Sequence, residues 1–147
     1  MNIAPITPLL FDSWVKMRAD LWPEHSEADL RGGAGAMLAE SSGKYFVLVA
    51  SEGGKPVGFA EASLRRDHVN GCETAPVGFL EGIYVEPAHR KTGVARALVN
   101  AVEDWSRAQG CTEFASDALL DNVDSHRMHS ALGFTETERV VYFRKRL

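Results

Sequence analysis

A basic, glycine-containing turn between a strand and a long amphipathic helix has the chemistry of a phosphate site. The strand, residues 79–85, is rich in β-forming side chains and is closed by a proline, which has no N–H for a strand ladder. The first amides of a helix lack partners within the helix and lie at the positive end of its dipole. Gly93 allows a ligand to approach the backbone closely, and Arg90, Lys91 and Arg96 add positive charge. The stretch therefore predicts a pyrophosphate cradle that follows directly on a strand.

Composition narrows the function classes that this turn can serve. The chain has 147 residues, a formal net charge of −4, and 45% hydrophobic and 24% charged residues. These values are typical of one globular domain over residues 1–147. A nucleic-acid binder is more often basic, whereas an acidic chain suits a cationic small substrate. Because no apolar run could span a bilayer and no signal peptide is evident, we expect a cytoplasmic protein with free thiols at Cys72 and Cys111.

Two other groups of residues could carry chemistry. His126 and His129 stand three apart on a predicted helix, a spacing that could place both on one metal ion. No third ligand accompanies them in the sequence, so no metal is predicted. The basic ending, residues 144–146, is interpreted as a solvated strand end, and neither nucleic acid nor membrane is expected as a partner.

Hydrophobic periodicity predicts the elements that must position the turn. A first helix is predicted over residues 8–21 with Thr7 as its N-cap, and a second follows the N-cap Ser26. The second helix contains three glycines, so we expect it to be loosely held. Strands joined by short turns, which form an antiparallel meander, are predicted over residues 45–50, 56–65 and 77–85.

The second half of the chain predicts a strand–helix–strand unit followed by one more helix and strand. The helix after Gly93 ends at Gly110, and the strand behind it, residues 111–116, should lie parallel to the strand before the turn. A helix over residues 123–132 and a long strand over residues 134–146 complete the chain. The last strand has apolar residues at both of its alternating sets of positions, which point to opposite faces. It therefore needs partners on both of its faces.

The predicted fold is therefore mixed, α/β (α+β), in the order β-α-α-β-β-β-α-β-α-β. Residues 90–95 read Arg-Lys-Thr-Gly-Val-Ala between the fourth strand and the third helix, and Asn122 and the segment His-Ser-Ala-Leu-Gly-Phe, residues 129–134, follow. The six-residue segment 90–95, its position between a strand and a helix, and the Leu-Gly-Phe sequence that ends the later segment together resemble the GCN5-related N-acetyltransferase (GNAT) superfamily. The resemblance implies a mixed central sheet with an antiparallel meander and with parallel fourth and fifth strands that splay apart.

Further segments, spread along the whole chain, resemble the aminoglycoside 6′-N-acetyltransferases. This resemblance implies transfer of an acetyl group from acetyl-CoA to the 6′-amine of an aminoglycoside antibiotic, and hence resistance. It implies direct attack of the deprotonated amine on the thioester. The segments are Leu-Trp-Pro at residues 21–23, and residues 67–71, 79–83, 115–117 and 136–145.

The same resemblance assigns one half of the site to acetyl-CoA as co-substrate, with no metal. The pantetheine arm would pair with the strand edge at Ile83, Tyr84 and Val85, where one amide would hold the developing oxyanion. Asn122 would bond the arm from the other side. The pyrophosphate would lie on the amides of Lys91, Thr92, Gly93, Val94, Ala95 and Arg96.

The other half of the site would receive the amine. Glu81, in an otherwise apolar strand, is predicted as the catalytic base, and Asp117 as catalytic relay and substrate anchor, although the two roles could be exchanged. The family places residues of the loop that holds Trp22 and His25 over the sugar. Many superfamily members carry a tyrosine as the acid for the thiolate at the position of His129, so the role of this histidine is left open.

The final strand predicts a homodimer. In related enzymes it can be exchanged between subunits, so Glu138 is predicted to bind substrate in the neighbour's site. Two alternatives stay open: a GNAT acetyltransferase that acts on another amine, such as a polyamine or a protein N-terminus, and a binding module without catalysis. The acidic residues Glu81, Asp117 and Glu138 favour a polycation over a neutral peptide.

Overall fold

Five strands and four helices make up the computed structural model, which describes residues 1–147. The strands are β1 Asn2–Pro5, β2 Tyr45–Glu52, β3 Lys55–Arg65, β4 Val77–Val85 and β5 Phe114–Ser116. The helices are α1 Phe11–Leu21, α2 Glu27–Ala39, α3 Val94–Ala108 and α4 Val123–Ala131. Short 3-10 turns, Pro8–Leu10 and Pro87–His89, precede α1 and follow β4.

One sheet in the order β1-β2-β3-β4-β5 organises the chain. The first four strands run antiparallel to their neighbours, and β5 runs parallel to β4 because α3 carries the chain back across the sheet. The predicted fold class is thus confirmed. The strand predicted over residues 111–116 is reduced to its last three residues, which are the ones that pair with β4.

Helices cover both faces of the sheet. On one face α3 buries Val94, Leu98 and Val102 against apolar side chains of the central strands. On the other face α1 buries Trp14 and Met17. Its neighbour α2 buries only Leu30 and Ala34. No helix has both the length and the apolar composition needed to cross a bilayer.

The two predicted N-caps differ in outcome. The Ser26 hydroxyl accepts from the backbone N–H of Asp29 at 3.1 Å, so this N-cap is confirmed. Thr7 makes no side-chain cap bond, and its carbonyl instead accepts from the Leu10 amide at 3.0 Å. The residues after Thr7 therefore form a 3-10 turn, and α1 begins only at Phe11.

The strand predicted over residues 134–146 is not formed, and that prediction is wrong for the single chain. No segment after Ala131 is helix or strand, and Tyr142 and Phe143 are 85% and 92% exposed. The physical reason is the absence of a partner, because a strand needs a neighbouring ladder and an apolar strand needs a covering layer. Thr137 lies against Gly71, where a Cβ would come within 2.2 Å of its hydroxyl oxygen.

Candidate active site

A β-bulge in β4 marks the centre of the site. Gly82 lies opposite Glu61 of β3, and Leu80 lies opposite Ala62, so Glu81 is an extra residue without a partner. The packing shows the same irregularity, because Leu80 packs with α3 whereas Tyr84, four residues later, packs with α1. In a regular strand, two residues four apart would share a face. Bulges bend a strand and redirect a side chain, and they are frequent beside active sites.

The bulge coincides with the point where β4 and β5 separate. Their parallel pairing ends with Leu80 opposite Ser116. Beyond that pair, residues 81–85 have a strand neighbour only in β3, so the β5 side of β4 keeps a free edge. Glu81 and Asp117 each directly follow one residue of this last β4–β5 pair. We call the gap between β4 and β5 beyond this pair the wedge. The structure therefore places both predicted catalytic carboxylates at the opening of the wedge.

Two β3 side chains hold the Glu81 carboxylate. The Ser63 hydroxyl donates to Oε1 at 2.6 Å. The Arg65 guanidinium donates to Oε1 through Nε at 3.1 Å and Nη2 at 2.9 Å, and Nη2 also lies 2.9 Å from Oε2. Sequence reasoning missed both residues. Their spacing of two places them on one face of a strand, which is the signal that could have paired them with Glu81.

Asp117 differs from Glu81 in that no protein side chain holds it. It is exposed in the loop after β5 and makes no hydrogen bond or ion pair. The adjacent Ser116 hydroxyl donates to the Leu80 carbonyl at 3.1 Å, which closes the last β4–β5 pair. One carboxylate is thus fixed in position, and the other is free to meet a cation from solvent.

The turn before α3 offers unpaired backbone donors. The backbone N–H groups of residues 91–96 make no hydrogen bond to the protein, and the first bond of the helix runs from the Ala97 amide to the Gly93 carbonyl at 3.0 Å. Lys91 and Gly93 have φ of 61° and 93°, both left-handed. A Cβ on Gly93 would meet nothing within 4 Å, so the space above the turn is open. This row of free amides fits a pyrophosphate.

The arginines of the turn also brace the surrounding structure. Arg90 Nε donates to the Val85 carbonyl at 2.9 Å, which ties the turn to the end of β4. Arg96 Nη2 donates to the Ala131 carbonyl at 2.7 Å, at the C-terminal end of α4. Lys91 and Thr92 are exposed, and the Thr92 hydroxyl donates to the His89 carbonyl. The amides therefore have cationic side chains next to them that are already held in place.

Helix α4 closes the far side of the wedge. Asn122 is its N-cap, and its Oδ1 accepts from the Ser125 amide at 3.2 Å. His129 Nε2 lies 2.8 Å from the Ser116 hydroxyl, and Nδ1 lies 2.7 Å from the Ser125 carbonyl. The imidazole thus ties α4 to the end of β5. The second histidine of the predicted pair, His126, contacts the Leu119 carbonyl at 2.9 Å. No three His, Cys, Asp or Glu side chains are grouped to hold a metal ion.

The predicted substrate residues near the N-terminus lie beside the bulge. Trp22 follows α1 and packs on Gly82, where a Cβ would come within 2.7 Å of two indole carbons. His25 is more than half exposed. Glu138, by contrast, is exposed in the C-terminal segment and does not line this region of its own chain. The residues that line an open cavity of about 250 Å³ here are Arg18, Trp22, His25, Asp29, Leu30 and Gly33.

A buried ion pair between Arg18 and Glu61 lies under this cavity and was missed from the sequence. Glu61 is 2% exposed, and its Oε1 accepts from Arg18 Nε at 2.5 Å and from Trp14 Nε1 at 2.8 Å. Burial raises the pKa of Glu61 above its ordinary value, and the Arg18 and Trp14 donors oppose that rise. A single glutamate within an apolar strand was the available signal.

The fold and the site define an acetyltransferase of a known class. A profile of the acetyltransferase (GNAT) family matches residues 13–134. The chain belongs to this family, and the resemblance that its motifs indicated is confirmed. Members of this family with solved structures bind CoA, and acetyl-CoA is the co-substrate.

Particular relatives narrow the class further. The chain is 50% identical over 148 residues to the aminoglycoside N(6′)-acetyltransferase type 1 of Acinetobacter haemolyticus, which covers 100% of this chain and 99% of the relative. It is 44% identical to the protein of the same name from Salmonella typhimurium, with 99% of each covered. These relatives carry the family name to which the five sequence segments pointed.

Solved structures agree with the sequence relatives. The apo crystal structure of an aminoglycoside antibiotic 6′-N-acetyltransferase from Acinetobacter haemolyticus superposes with a TM-score of 0.95 at 49% identity, covering 100% of this chain and 99% of that chain. The enzyme AAC(6′)-Iy, in complex with the bisubstrate analog CoA-S-monomethyl-acetylneamine, gives a TM-score of 0.92 at 40% identity, with 99% and 98% covered.

Proposed function

We propose that this chain transfers the acetyl group of acetyl-CoA to the 6′-amine of aminoglycoside antibiotics and thereby confers resistance. The observation that carries the proposal is the bulge in β4, which places a held carboxylate, Glu81, at the opening of the wedge between β4 and β5. An amine and a thioester brought to that opening from opposite sides would meet beside Glu81. The names of the relatives supply the aminoglycoside and the position of the amine.

The cofactor half of the site is assigned by its free donors. The amides of residues 91–96 would hold the pyrophosphate, and the free edge of β4 at Ile83, Tyr84 and Val85 would pair with the amides of the pantetheine arm. Asn122, which begins α4, would bond the arm from the other side. Bound acetyl-CoA supplies a thioester carbonyl that an amine can attack. A β4 amide at Ile83 or Tyr84 would stabilise the charge that develops on its oxygen.

Glu81 is the better candidate for the base. An acceptor amine is protonated at neutral pH and must lose a proton before it attacks, so a positioned base beside it speeds the reaction, and a carboxylate can serve as that base. Three donor contacts from Ser63 and Arg65 hold Oε1, whereas Oε2 receives only one, from Arg65 Nη2, and keeps capacity for the amine. Asp117 has no protein partner, which suits an anchor and relay for a cationic substrate.

The acceptor half would lie over Trp22 and His25. Both line the cavity beside the bulge, and the indole offers an apolar face for a sugar ring. Asp29, on the same cavity, adds a negative charge that matches a polycation. The two unpaired thiols, Cys72 and Cys111, and the use of acetyl-CoA support a cytoplasmic location, which is part of the proposal.

Turnover and the position of the product amide test this function. With kanamycin or tobramycin, which carry a 6′-amine, we expect acetyl-CoA-dependent release of CoA thiol, and mass spectrometry with NMR should place the acetyl group on the 6′-nitrogen. An aminoglycoside with a 6′-hydroxyl is the matched control and should release little or no CoA thiol, because a neutral hydroxyl is a much weaker nucleophile than the deprotonated amine. Faster turnover of spermidine or of a peptide N-terminus than of either drug would reject the aminoglycoside assignment.

A homodimer is part of the proposal because the C-terminal segment is incomplete by itself. Val141, Tyr142 and Phe143 are 73%, 85% and 92% exposed, and the outer edge of β5 has no neighbour within the chain. A second copy offers both a strand edge and an apolar layer to this segment. Exchange of the segment would bring Glu138 to the neighbour's acceptor site.

We expect the chain to run as a dimer in size-exclusion chromatography with light scattering, and Phe143→Asp to make it a monomer. Subunit mixing tests the shared site. Glu81→Gln and Glu138→Gln homodimers should each be impaired, whereas a mixture of the two should regain activity. In the mixed dimer, one site combines an intact Glu81 with the partner's intact Glu138. A monomeric parent, or a mixture no more active than its components, would contradict the exchange.

A further inference from the structure

The ion pair between Arg18 and Glu61 is the one pair of opposite charges whose two side chains are both at least nine-tenths buried in this chain. The side chains of Arg18 and Glu61 are 10% and 2% exposed. Every buried polar side-chain atom has a hydrogen-bond partner. The pair joins α1 to the middle of β3. Burying two charges is costly, and apolar residues of similar volume often serve stability as well. The pair therefore needs an explanation other than stability.

The contacts of Arg18 lead to the acceptor cavity. Its Nη1 donates to the Leu30 carbonyl of α2, and its Cζ lies 5.1 Å from the centre of the Trp22 indole. Trp22 in turn packs on Gly82, the cross-strand partner of Glu61. One guanidinium thus contacts the strand beside the bulge, the indole and the second helix. All three of these elements border the cavity or the bulge.

The charge of Arg18 is compensated, which matters for a cationic acceptor. A free guanidinium on the cavity wall would repel a polycation. Here Nε and Nη2 lie 2.5 Å and 3.3 Å from the two Glu61 oxygens, and Nη1 is taken by a carbonyl. The remaining face of the guanidinium packs on an aromatic ring, which is a favourable contact for arginine. The group is arranged to brace the cavity without presenting a free positive charge.

We propose that Arg18, neutralised by Glu61, is a positioning residue that fixes Trp22 against β4 and holds α2 over the acceptor cavity. The inference deepens the proposed function and rests on it, because it assigns Trp22 to the acceptor. It explains how a helix with three glycines and only two buried residues, Leu30 and Ala34, stays in place above the cavity. Arg18 acts through Trp22 and α2 and touches neither reacting group.

Arg18→Lys tests this role, because lysine keeps the charge but cannot span Glu61, Leu30 and Trp22 with one planar group. We expect KM for kanamycin to rise about tenfold, which is the size of one lost interaction worth 1.4 kcal/mol. KM for acetyl-CoA should stay unchanged and kcat should change by less than about threefold. Arg31→Lys is the matched control, since Arg31 also links α2 to α1, through Asp12 at 2.8 Å, but on the surface. It should leave all three constants as in the parent.

A double-mutant cycle separates positioning from general stability. If Arg18 acts through Trp22, Arg18→Lys should change KM for kanamycin little further in a Trp22→Ala background. A purely structural role would lower the melting temperature and multiply the two effects on KM. An unchanged KM in Arg18→Lys, or fully multiplicative effects, would overturn the inference. If the parent itself turns over no aminoglycoside, the proposed function fails instead, and the two failures are distinguishable.

A second perturbation covers the case in which Arg18→Lys does not fold. A Cβ on Gly33 would lie 3.4 Å from Arg18 Nη1, whereas one on the adjacent Gly32 would meet nothing within 4 Å. Both positions lie in α2, so alanine at either one gains similar helix propensity. Because Gly33 also lines the acceptor cavity, alanine is used at both positions: its single Cβ contacts Arg18 at position 33 without filling the cavity. Gly33→Ala should raise KM for kanamycin while Gly32→Ala should not. Equal KM values for the two variants would overturn the proposal.

Discussion

Glu81→Gln should lower kcat about 100-fold or more while leaving the fold intact, because general-base catalysis contributes about 10²–10⁴-fold. Glutamine has nearly the same shape and keeps one oxygen for the Ser63 and Arg65 donors, so the bulge should persist. It cannot take a proton from the amine. Initial rates of CoA release at saturating acetyl-CoA and kanamycin measure the effect, and thermal unfolding verifies the fold.

The pH dependence sharpens this prediction. At higher pH more of the acceptor is already deprotonated in solution, so the deficit of Glu81→Gln should shrink as pH rises. Glu86→Gln is the matched control, since Glu86 directly follows β4 and its carboxylate accepts a hydrogen bond from the Tyr84 hydroxyl alone, at 3.4 Å. It should keep parental kcat. If Asp117→Asn lost 100-fold in kcat and Glu81→Gln changed only KM, the two roles would be exchanged.

Gly93→Val should raise KM for acetyl-CoA by about 10- to 100-fold, with KM for the aminoglycoside nearly unchanged. Gly93 has a φ of 93°, a conformation in which a β-branched residue is strongly strained. The turn would relieve the strain by rotating amides of residues 91–96 away from the pyrophosphate. Losing one hydrogen bond to a charged group, at about 1.5–3 kcal/mol, corresponds to a change of about this size. Steady-state kinetics with each substrate varied in turn would measure it.

Gly110→Val provides the comparison for backbone strain alone. Gly110 follows the other end of α3 with a φ of 87°, and a Cβ there also meets nothing within 4 Å. The two variants should therefore lose similar stability, but only Gly93→Val should weaken binding of acetyl-CoA. An equal rise in KM for both would mean that α3, and not the amide row, governs binding.

Local patterns in the sequence were sufficient to predict the frame of the molecule. Three predictions rest on residues close together in the sequence, and all three are confirmed. They are the strand from Val77 to Val85, the turn before Val94 and the N-cap at Ser26. The family followed from motifs that lie within such local units. The position of Glu81 beside Asp117 could also be predicted, because each ends a strand segment that the crossover makes parallel.

Long-range contacts explain what the sequence did not reveal. Arg65 holds Glu81 across 16 residues, and Arg18 holds Glu61 across 43, so neither pair leaves a periodic trace. The bulge is invisible to a test of alternation, since one extra residue in an apolar strand does not interrupt its hydrophobic run. The last strand was predicted from its alternation, but that pattern reports the need for a partner and says nothing about whether one chain supplies it.

If Glu81 is left out, the remaining residues of β4 pair with β3 in one continuous register. Skipping that one position leaves Leu80 and Gly82 opposite consecutive residues of β3, and every later residue keeps the face that it has now. The proposed catalytic carboxylate is therefore equivalent to a one-residue insertion into a strand that would pair regularly with β3 without it. Deletion of Glu81 should allow β4 and β5 to pair beyond Leu80. The resulting protein should have a higher melting temperature and no acetyltransferase activity. We therefore expect this one extra residue to be what keeps β4 and β5 apart beyond Leu80.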